Sequence, residues 1–450
     1  MAREIIIIGS GAAGMTAASS ARKTDPEAKI TLFTEDTDIA YSPCVIPWAV
    51  EGKVTWEGIV MHTPEHYSES KKITVRTGTR AEAVSDADKT VTAAGKTYRY
   101  DSLVIATGSK VFIPPIRGTD LEGVFAVKTI RDGKAIQSYL RDVSRVAVCG
   151  AGVIGLEIAL AFSSMGKDVT VVEMMDQVIP RIADRDMADQ IQKYLEEKGI
   201  KFVMNVPIQS VNGTGRVSGV TAGGKEYPCE TVIFATGVRA DTDIPKELGF
   251  DIGQLGAVVV SPSLQPYKKG RIVPCVYVAG DVIQCVSAVM PGPTMSQLGS
   301  SAVKQGNVAG INAAGGKALF GPVASPWVSV IGEKQIAGTG LSLGLASWYG
   351  VDAVCGKAVG LTRARYYPGA SEMVVKVLAD STSHRIIGAQ MIAGEEVTGR
   401  IDWLTSAVIS GITADDFLVR AENAYCPPTS MVKDVVISAV ENLCAKLRVQ

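Results

Sequence analysis

The sequence predicts an α/β protein with two parallel-sheet nucleotide-binding units, the second inserted into the first. Three observations carry this. A strand, glycine turn, helix, strand, acid pattern occurs twice, with turns opening at Gly9 and Gly150. Two apolar runs end in Ala-Thr-Gly, at Ala106-Thr107-Gly108 and Ala235-Thr236-Gly237, one for each repeat. A further apolar run, ending in Gly280-Asp281, comes only after the second repeat has closed. Together they describe two Rossmann-like dinucleotide-binding domains.

The first repeat begins with Ile5-Ile6-Ile7-Ile8, a β-branched run suited to a strand buried on both faces. Gly9-Ser10-Gly11-Ala12-Ala13-Gly14 follows, then a small-residue helix from Ala12 to Ala21 and a strand, Lys29–Phe33, leading to Glu35. Gly9 makes the tight turn, Gly11 lets a pyrophosphate approach the backbone, and Gly14 lets the helix pack on the strand. The helix N-terminus, with Ala12 and Ala13, offers amides and partial positive charge to phosphate. Glu35 is placed to accept hydrogen bonds from a ribose.

The second repeat runs from Arg145 to Cys149, through Gly150-Ala151-Gly152-Val153-Ile154-Gly155, along a helix to Met165, and up the strand Val169–Val172 to Glu173. Two such units in one chain predict two nucleotides. Glu173 suits both hydroxyls of an adenosine ribose and repels a 2′-phosphate. Met174 and Met175 follow, with no nearby arginine to receive that phosphate, so the nucleotide is predicted to be NAD(H). Glu157, near the helix start, either helps hold the nicotinamide end or is a charge favoured by the helix dipole.

The mirrored Ala-Thr-Gly ends place Ala106, Thr107 and Gly108 at the first nucleotide and Gly237 at the second. Gly280-Asp281 returns to the first site, where the carboxylate suits a polyol hydroxyl. Pro114-Pro115 marks the outward crossing and the Arg239–Pro245 stretch the way back. The predicted domains are 1–112 with 242–322, and 113–241. A helix over about Thr294–Ala313 is expected to pack at the first site.

Composition bounds the function. Lys plus Arg number 45 and Asp plus Glu 46, so neither nucleic acid nor an anionic membrane is expected as a main partner. The eight cysteines include no C-x-x-C pair, so neither an iron–sulfur cluster nor a structural zinc is predicted. His62 and His66 stand four apart, but a solvated face is the expectation over a metal edge. The opening Met1-Ala2-Arg3-Glu4 lacks the layout of a signal peptide. The uncharged stretches Val282–Val303 and Gln335–Val351 are broken by Gly, Pro, Gln and Ser and make poor membrane spans. A cytoplasmic enzyme is expected.

These residues resemble the FAD/NAD(P) pyridine nucleotide–disulfide oxidoreductase family along essentially the whole chain. Tyr41-Ser42-Pro43-Cys44-Val45-Ile46-Pro47-Trp48 is similar to the single-cysteine motif of coenzyme A-disulfide reductases, NADH oxidases and NADH-polysulfide reductases. The resemblance implies FAD in the first domain, with Ser42 and Cys44 at the flavin and Asp281 on its ribityl chain. It also implies an α+β dimerisation domain over 323–450. Tyr366-Tyr367-Pro368-Gly369 and Tyr425-Cys426-Pro427-Pro428 sit where coenzyme A-disulfide reductases carry Tyr-Tyr-Pro-Gly and Tyr-Ala-Pro-Pro. Val45, Trp48 and Cys426 depart from the family's usual residues. The paired cysteines of lipoamide and glutathione reductases and their C-terminal His-Pro are missing.

The chemistry expected from this resemblance is hydride transfer from NADH to the flavin, with Cys44 at the other flavin face. Its thiolate, favoured by a helix N-terminus and the flavin, attacks a disulfide or polysulfide sulfur, or is oxidised by peroxide. Tyr367 and Tyr425 are candidate acids for a leaving thiolate, or interface tyrosines. Two functions stand side by side. One is a homodimeric NADH-dependent disulfide, polysulfide or oxygen reductase. The other is the FAD/NAD electron-transfer subunit of an iron–sulfur complex that reduces NAD⁺, such as phenylglyoxylate:acceptor oxidoreductase.

Overall fold

The computed structural model describes residues 2–449. Its first sheet is parallel, in the order Val276–Val278, Ser102–Ile105, Glu4–Ile8, Lys29–Phe33, Ile73–Arg76. The second is also parallel: Lys201–Val203, Asp168–Val172, Arg145–Cys149, Thr231–Phe234, Val124–Ala126. In both, the strand carrying the glycine turn lies between the acid-ended strand and the Ala-Thr-Gly strand. Ile5 to Ile8 are all buried, as a strand covered by helices on both faces requires.

The helix Ala12–Thr24 packs on Gly299–Ala313 through small residues. A Cβ on Gly306 would lie 2.2 Å from the Ala13 carbonyl oxygen, and one on Gly310 2.2 Å from that of Ala17. This second helix starts at Gly299, five residues later than its sequence suggests. Pro291 and Pro293 hold the preceding chain extended, and Pro293-Thr294 pairs with Cys285-Val286.

The two nucleotide units are joined by an antiparallel ribbon of Ser109–Val111 and Val238–Ala240. The two Ala-Thr-Gly threonines latch it reciprocally. Thr107 Oγ1 donates to the Asp241 carbonyl at 2.8 Å, and Thr236 Oγ1 donates to the Phe112 carbonyl.

The third unit is an antiparallel sheet, Trp327–Ile331, Lys334–Gly340, Ile386–Ala393, Glu372–Asp380, Ala353–Leu361, packed with the helices Val397–Ser410 and Val435–Leu447. Its other face does not stand alone. Ile331, Ile336, Val374 and Ile392 share one apolar core with Leu156, Ile158 and Ile191 of the second nucleotide unit and with Ile46 and Val50. Full burial of such side chains contributes roughly 1.5–3 kcal/mol each, so this contact holds the two units together. Among the described residues no helix is long and apolar enough to cross a membrane.

Candidate functional site

The two glycine turns are near copies. Gly9 has φ +104° and Gly150 φ +106°, a backbone region that side chains rarely enter. The Gly9 amide donates to Phe33 O and the Gly150 amide to Val172 O, each at 2.8 Å. A Cβ on Gly14 would lie 1.9 Å from Gly9 O, and one on Gly155 2.0 Å from Gly150 O. By contrast, Gly11 and Gly152 have nothing within 4 Å of a Cβ position. Each is the N-cap of its helix, with no side chain capping the first turn. The amides of Ala12, Ala13 and Gly14, and of Val153, Ile154 and Gly155, therefore stand at open cradles shaped for phosphate. The residues fit FAD and NAD(H).

The two acids differ. Glu35 is exposed. Glu173 is buried: one oxygen accepts from the Ala151 amide at 2.7 Å and the other from Met175 at 2.8 Å. Each carboxylate oxygen keeps a second lone pair for a ribose hydroxyl.

At the inner end of the first cradle, Asp281 Oδ2 accepts from Ser109 Oγ at 2.9 Å, and Ser109 Oγ accepts from Lys128 Nζ at 3.1 Å. Burial pulls the Lys128 ammonium below its ordinary value, against the pull of Asp281, Asp241 and Asp36. The fully buried Gln305 accepts from the Gly280 amide at 2.6 Å and fixes that turn. Sequence reasoning found Asp281 and Gly280 but missed Ser109, Lys128 and Gln305. Ser109 directly follows the Ala-Thr-Gly turn, a signal that was available. Lys128 follows a strand of only three residues, too short to show periodicity.

Cys44 is exposed, in the 3₁₀ turn Pro43–Val45 that runs into the six-residue helix Ile46–Glu51. The thiol thus lies before a single short helical turn rather than at the end of a long helix. Gln137 anchors that helix: its Nε2 donates to the carbonyls of Ala49 and Val50 at 3.0 Å, and its oxygen accepts from Trp56 Nε1 at 2.9 Å. Gln137 belongs to the helix Ile130–Tyr139, whose start is fixed by a Thr129/Asp132 capping box. Ser42 is the N-cap of the 3₁₀ turn.

The remaining candidates are placed as follows. Tyr425 meets Tyr366 rather than Tyr367, hydroxyl to hydroxyl at 3.1 Å. The Tyr367 amide closes a turn onto Ala364 O, and its ring lies 6.0 Å from the Arg363 guanidinium. Glu157 is the fifth residue of the helix Val153–Ser164 and accepts from Ser329 Oγ of the third unit at 2.6 Å. Burial pushes its carboxyl up to about 6, with the Ser329 hydrogen bond pulling the other way. His62 precedes the helix Pro64–Lys71 and stacks on His66 at 4.1 Å, so the two do not share one helix. No group of three or more metal-ligating side chains occurs among the described residues.

Two dinucleotide cradles on linked parallel sheets, in a chain that also exposes Cys44, define a flavin- and nicotinamide-dependent oxidoreductase. The chain belongs to the pyridine nucleotide-disulphide oxidoreductase family: that family's model matches residues 3–306, and its dimerisation domain matches residues 328–435. It is 41% identical to an NADH oxidase of Methanocaldococcus jannaschii over 98% of this chain and 99% of that one. It is 32% identical to an NAD(P)H coenzyme A polysulfide/persulfide reductase of Pyrococcus horikoshii, covering 97% of each. The solved structure of an NAD-dependent persulfide reductase from A. fulgidus matches with TM-score 0.93 and 32% identity, over 98% of this chain and 83% of that one. The protein is an FAD-dependent NADH:acceptor oxidoreductase that uses FAD and NAD(H).

Proposed function

We propose that the chain is a homodimeric, cytoplasmic reductase that passes electrons from NADH to a disulfide, a polysulfide or persulfide, or oxygen, with Cys44 as the thiol that meets the acceptor. The observation that carries this reading is the exposed Cys44 on a turn whose following helix is anchored by Gln137. Names of relatives that span nearly the whole chain support it: an NADH oxidase and a polysulfide/persulfide reductase. Nothing among them supports the electron-transfer subunit of an iron–sulfur complex.

Bound FAD supplies a two-electron acceptor for hydride and returns those electrons to the acceptor side. The Gly9–Gly14 turn and Glu35 hold its adenosine and pyrophosphate, while Ser109, Lys128 and Asp281 hold the ribityl end. The Gly150–Gly155 turn, Glu173 and Gly237 hold NAD(H), with Glu157 at the nicotinamide. For a disulfide R–S–S–R′, the Cys44 thiolate attacks one sulfur, forms Cys44–S–S–R and releases R′S⁻. Reduction by two electrons then restores the Cys44 thiolate and releases RS⁻. Overall, NADH, H⁺ and RSSR′ give NAD⁺, RSH and R′SH. Tyr367 and Tyr425, the latter hydroxyl to hydroxyl with Tyr366, are available to protonate a leaving thiolate.

The test is anaerobic and aerobic NADH oxidation by the purified holoenzyme with disulfide, polysulfide and oxygen as separate acceptors. Turnover with at least one, lost in Cys44→Ser, is expected. Equal turnover in the wild type and Cys44→Ser with all three would overturn the role of the thiol.

A further inference from the structure

We propose that Ser329, on the edge strand of the third unit, is a positioning residue for NAD(H): its hydroxyl holds the Glu157 carboxylate so that the second oxygen faces the nicotinamide carboxamide. This rests on the reading of Glu157 as a nicotinamide contact.

The strand Trp327–Ile331 alternates, with Val328 and Val330 exposed and Ser329 and Ile331 buried. Ile331 enters the apolar core shared with the second nucleotide unit. Ser329 therefore occupies an inward position where the pattern calls for an apolar side chain. A buried hydroxyl is costly unless bonded, and this one has a single side-chain partner, Glu157 Oε1 at 2.6 Å. Glu157 Oε2 accepts no hydrogen bond from the described residues. It remains for a donor such as the amide nitrogen of a carboxamide.

The elements packed against the Glu157 helix carry few charges, and each is engaged elsewhere. Glu51 pairs with Lys53, Arg145 with Glu230, and Asp168 with Lys201. Strand 327–331 carries none. Among the described residues the Ser329 hydroxyl is thus the one side chain that hydrogen-bonds the ionised carboxylate, which burial opposes. A carboxylate accepts from the carboxamide amine, whereas a protonated carboxyl competes for the same position as a donor. NAD⁺ affinity should fall as pH drops through about 6, the value to which burial raises Glu157. Loss of the serine hydroxyl should move that fall to higher pH.

The test is equilibrium titration of NAD⁺ into the oxidised holoenzyme across a pH series, with thermal melting as a folding control. Ser329→Ala is expected to weaken NAD⁺ about three- to tenfold at neutral pH and to shift the acid limb upward, with Ser329→Thr close to wild type. Glu157→Gln should weaken NAD⁺ and remove the acid limb. If Ser329→Ala fails to fold, Ser329→Cys, a weak donor of similar size, should show the same upward shift. An unmoved acid limb in the folded alanine or cysteine variant, with Glu157→Gln still weakened, overturns the role of Ser329 alone. Unchanged affinity in Glu157→Gln overturns the nicotinamide reading and the proposal with it.

Discussion

Lys376 and Asp184 form a buried ion pair across two domains: the ammonium of the third unit's sheet lies 2.7 Å from the carboxylate that precedes helix Arg185–Glu197, and both side chains are almost fully enclosed. Asp186 adds a second contact to Lys376 at 2.8 Å, and Asp184 Oδ1 accepts from the Leu343 amide at 2.7 Å. The second nucleotide unit is thereby fixed to the third unit by charge as well as by their shared apolar core.

Lys376→Met leaves the Asp184 carboxylate buried without its counter-charge. The expected loss of stability is about 3–5 kcal/mol in chemical denaturation. Lys376→Met combined with Asp184→Asn should recover part of it, because the uncompensated charge is then gone. A single-variant loss below about 1 kcal/mol would rule out the pair as a structural clamp.

The same cluster sets a pH dependence. Burial pulls the Lys376 ammonium down, but the hydrogen bond to Asp186 and the charges of Asp184 and Asp186 outweigh it and raise it above 10.5. Its contribution is fully present below the unfolded lysine value and is lost as pH rises through the higher folded one. For Asp186, burial raises the carboxyl, but Lys357 and Lys376 outweigh it and hold it below 3.8. That contribution is present above the unfolded value and lost as pH falls through the lower folded one. Melting temperature should therefore decline in strong alkali more steeply in the wild type than in Lys376→Met.

The near-identical turns separate cofactor by cofactor. Gly14→Ala forces a Cβ toward Gly9 O, an overpacking worth about 1–3 kcal/mol. The purified variant should hold less flavin, read as visible absorbance per protein. Gly155→Ala should keep its yellow colour and bind NAD⁺ more weakly. The opposite pattern would reverse the assignment of the two sites.

Lys128 carries the remaining prediction. Lys128→Met removes the donor to Ser109 behind Asp281, so FAD affinity should fall about tenfold, measured by refilling the apoprotein. Unchanged affinity would assign Lys128 a purely local role.

The cradles were legible because their chemistry is local. Gly9, Gly14, Gly150 and Gly155 are required by backbone geometry within one strand–turn–helix unit, and Glu35 and Glu173 follow at the end of the next strand. Cys44 was legible through a motif of consecutive residues. Tyr367 and Tyr425 were each legible as a candidate acid from their motifs, but that the Tyr425 hydroxyl meets Tyr366 was not, because the turn from Ala364 to Tyr367 sets which ring faces residue 425. The helix expected from Thr294 starts at Gly299, because Thr294 is instead held, with Pro293, in a short ribbon against Cys285-Val286.

The amino-acid order alone determined the two repeated βαβ units, the nested chain path and the geometry of the two glycine turns, since each depends on neighbours a few positions away. Only the tertiary structure decided that Lys128 stands behind Asp281, that Ser329 grips Glu157, and that Lys376 meets Asp184. Those partners lie far apart in the chain. What selects them is the cost of enclosing a polar group without a partner, which is set only when separate sheets come together.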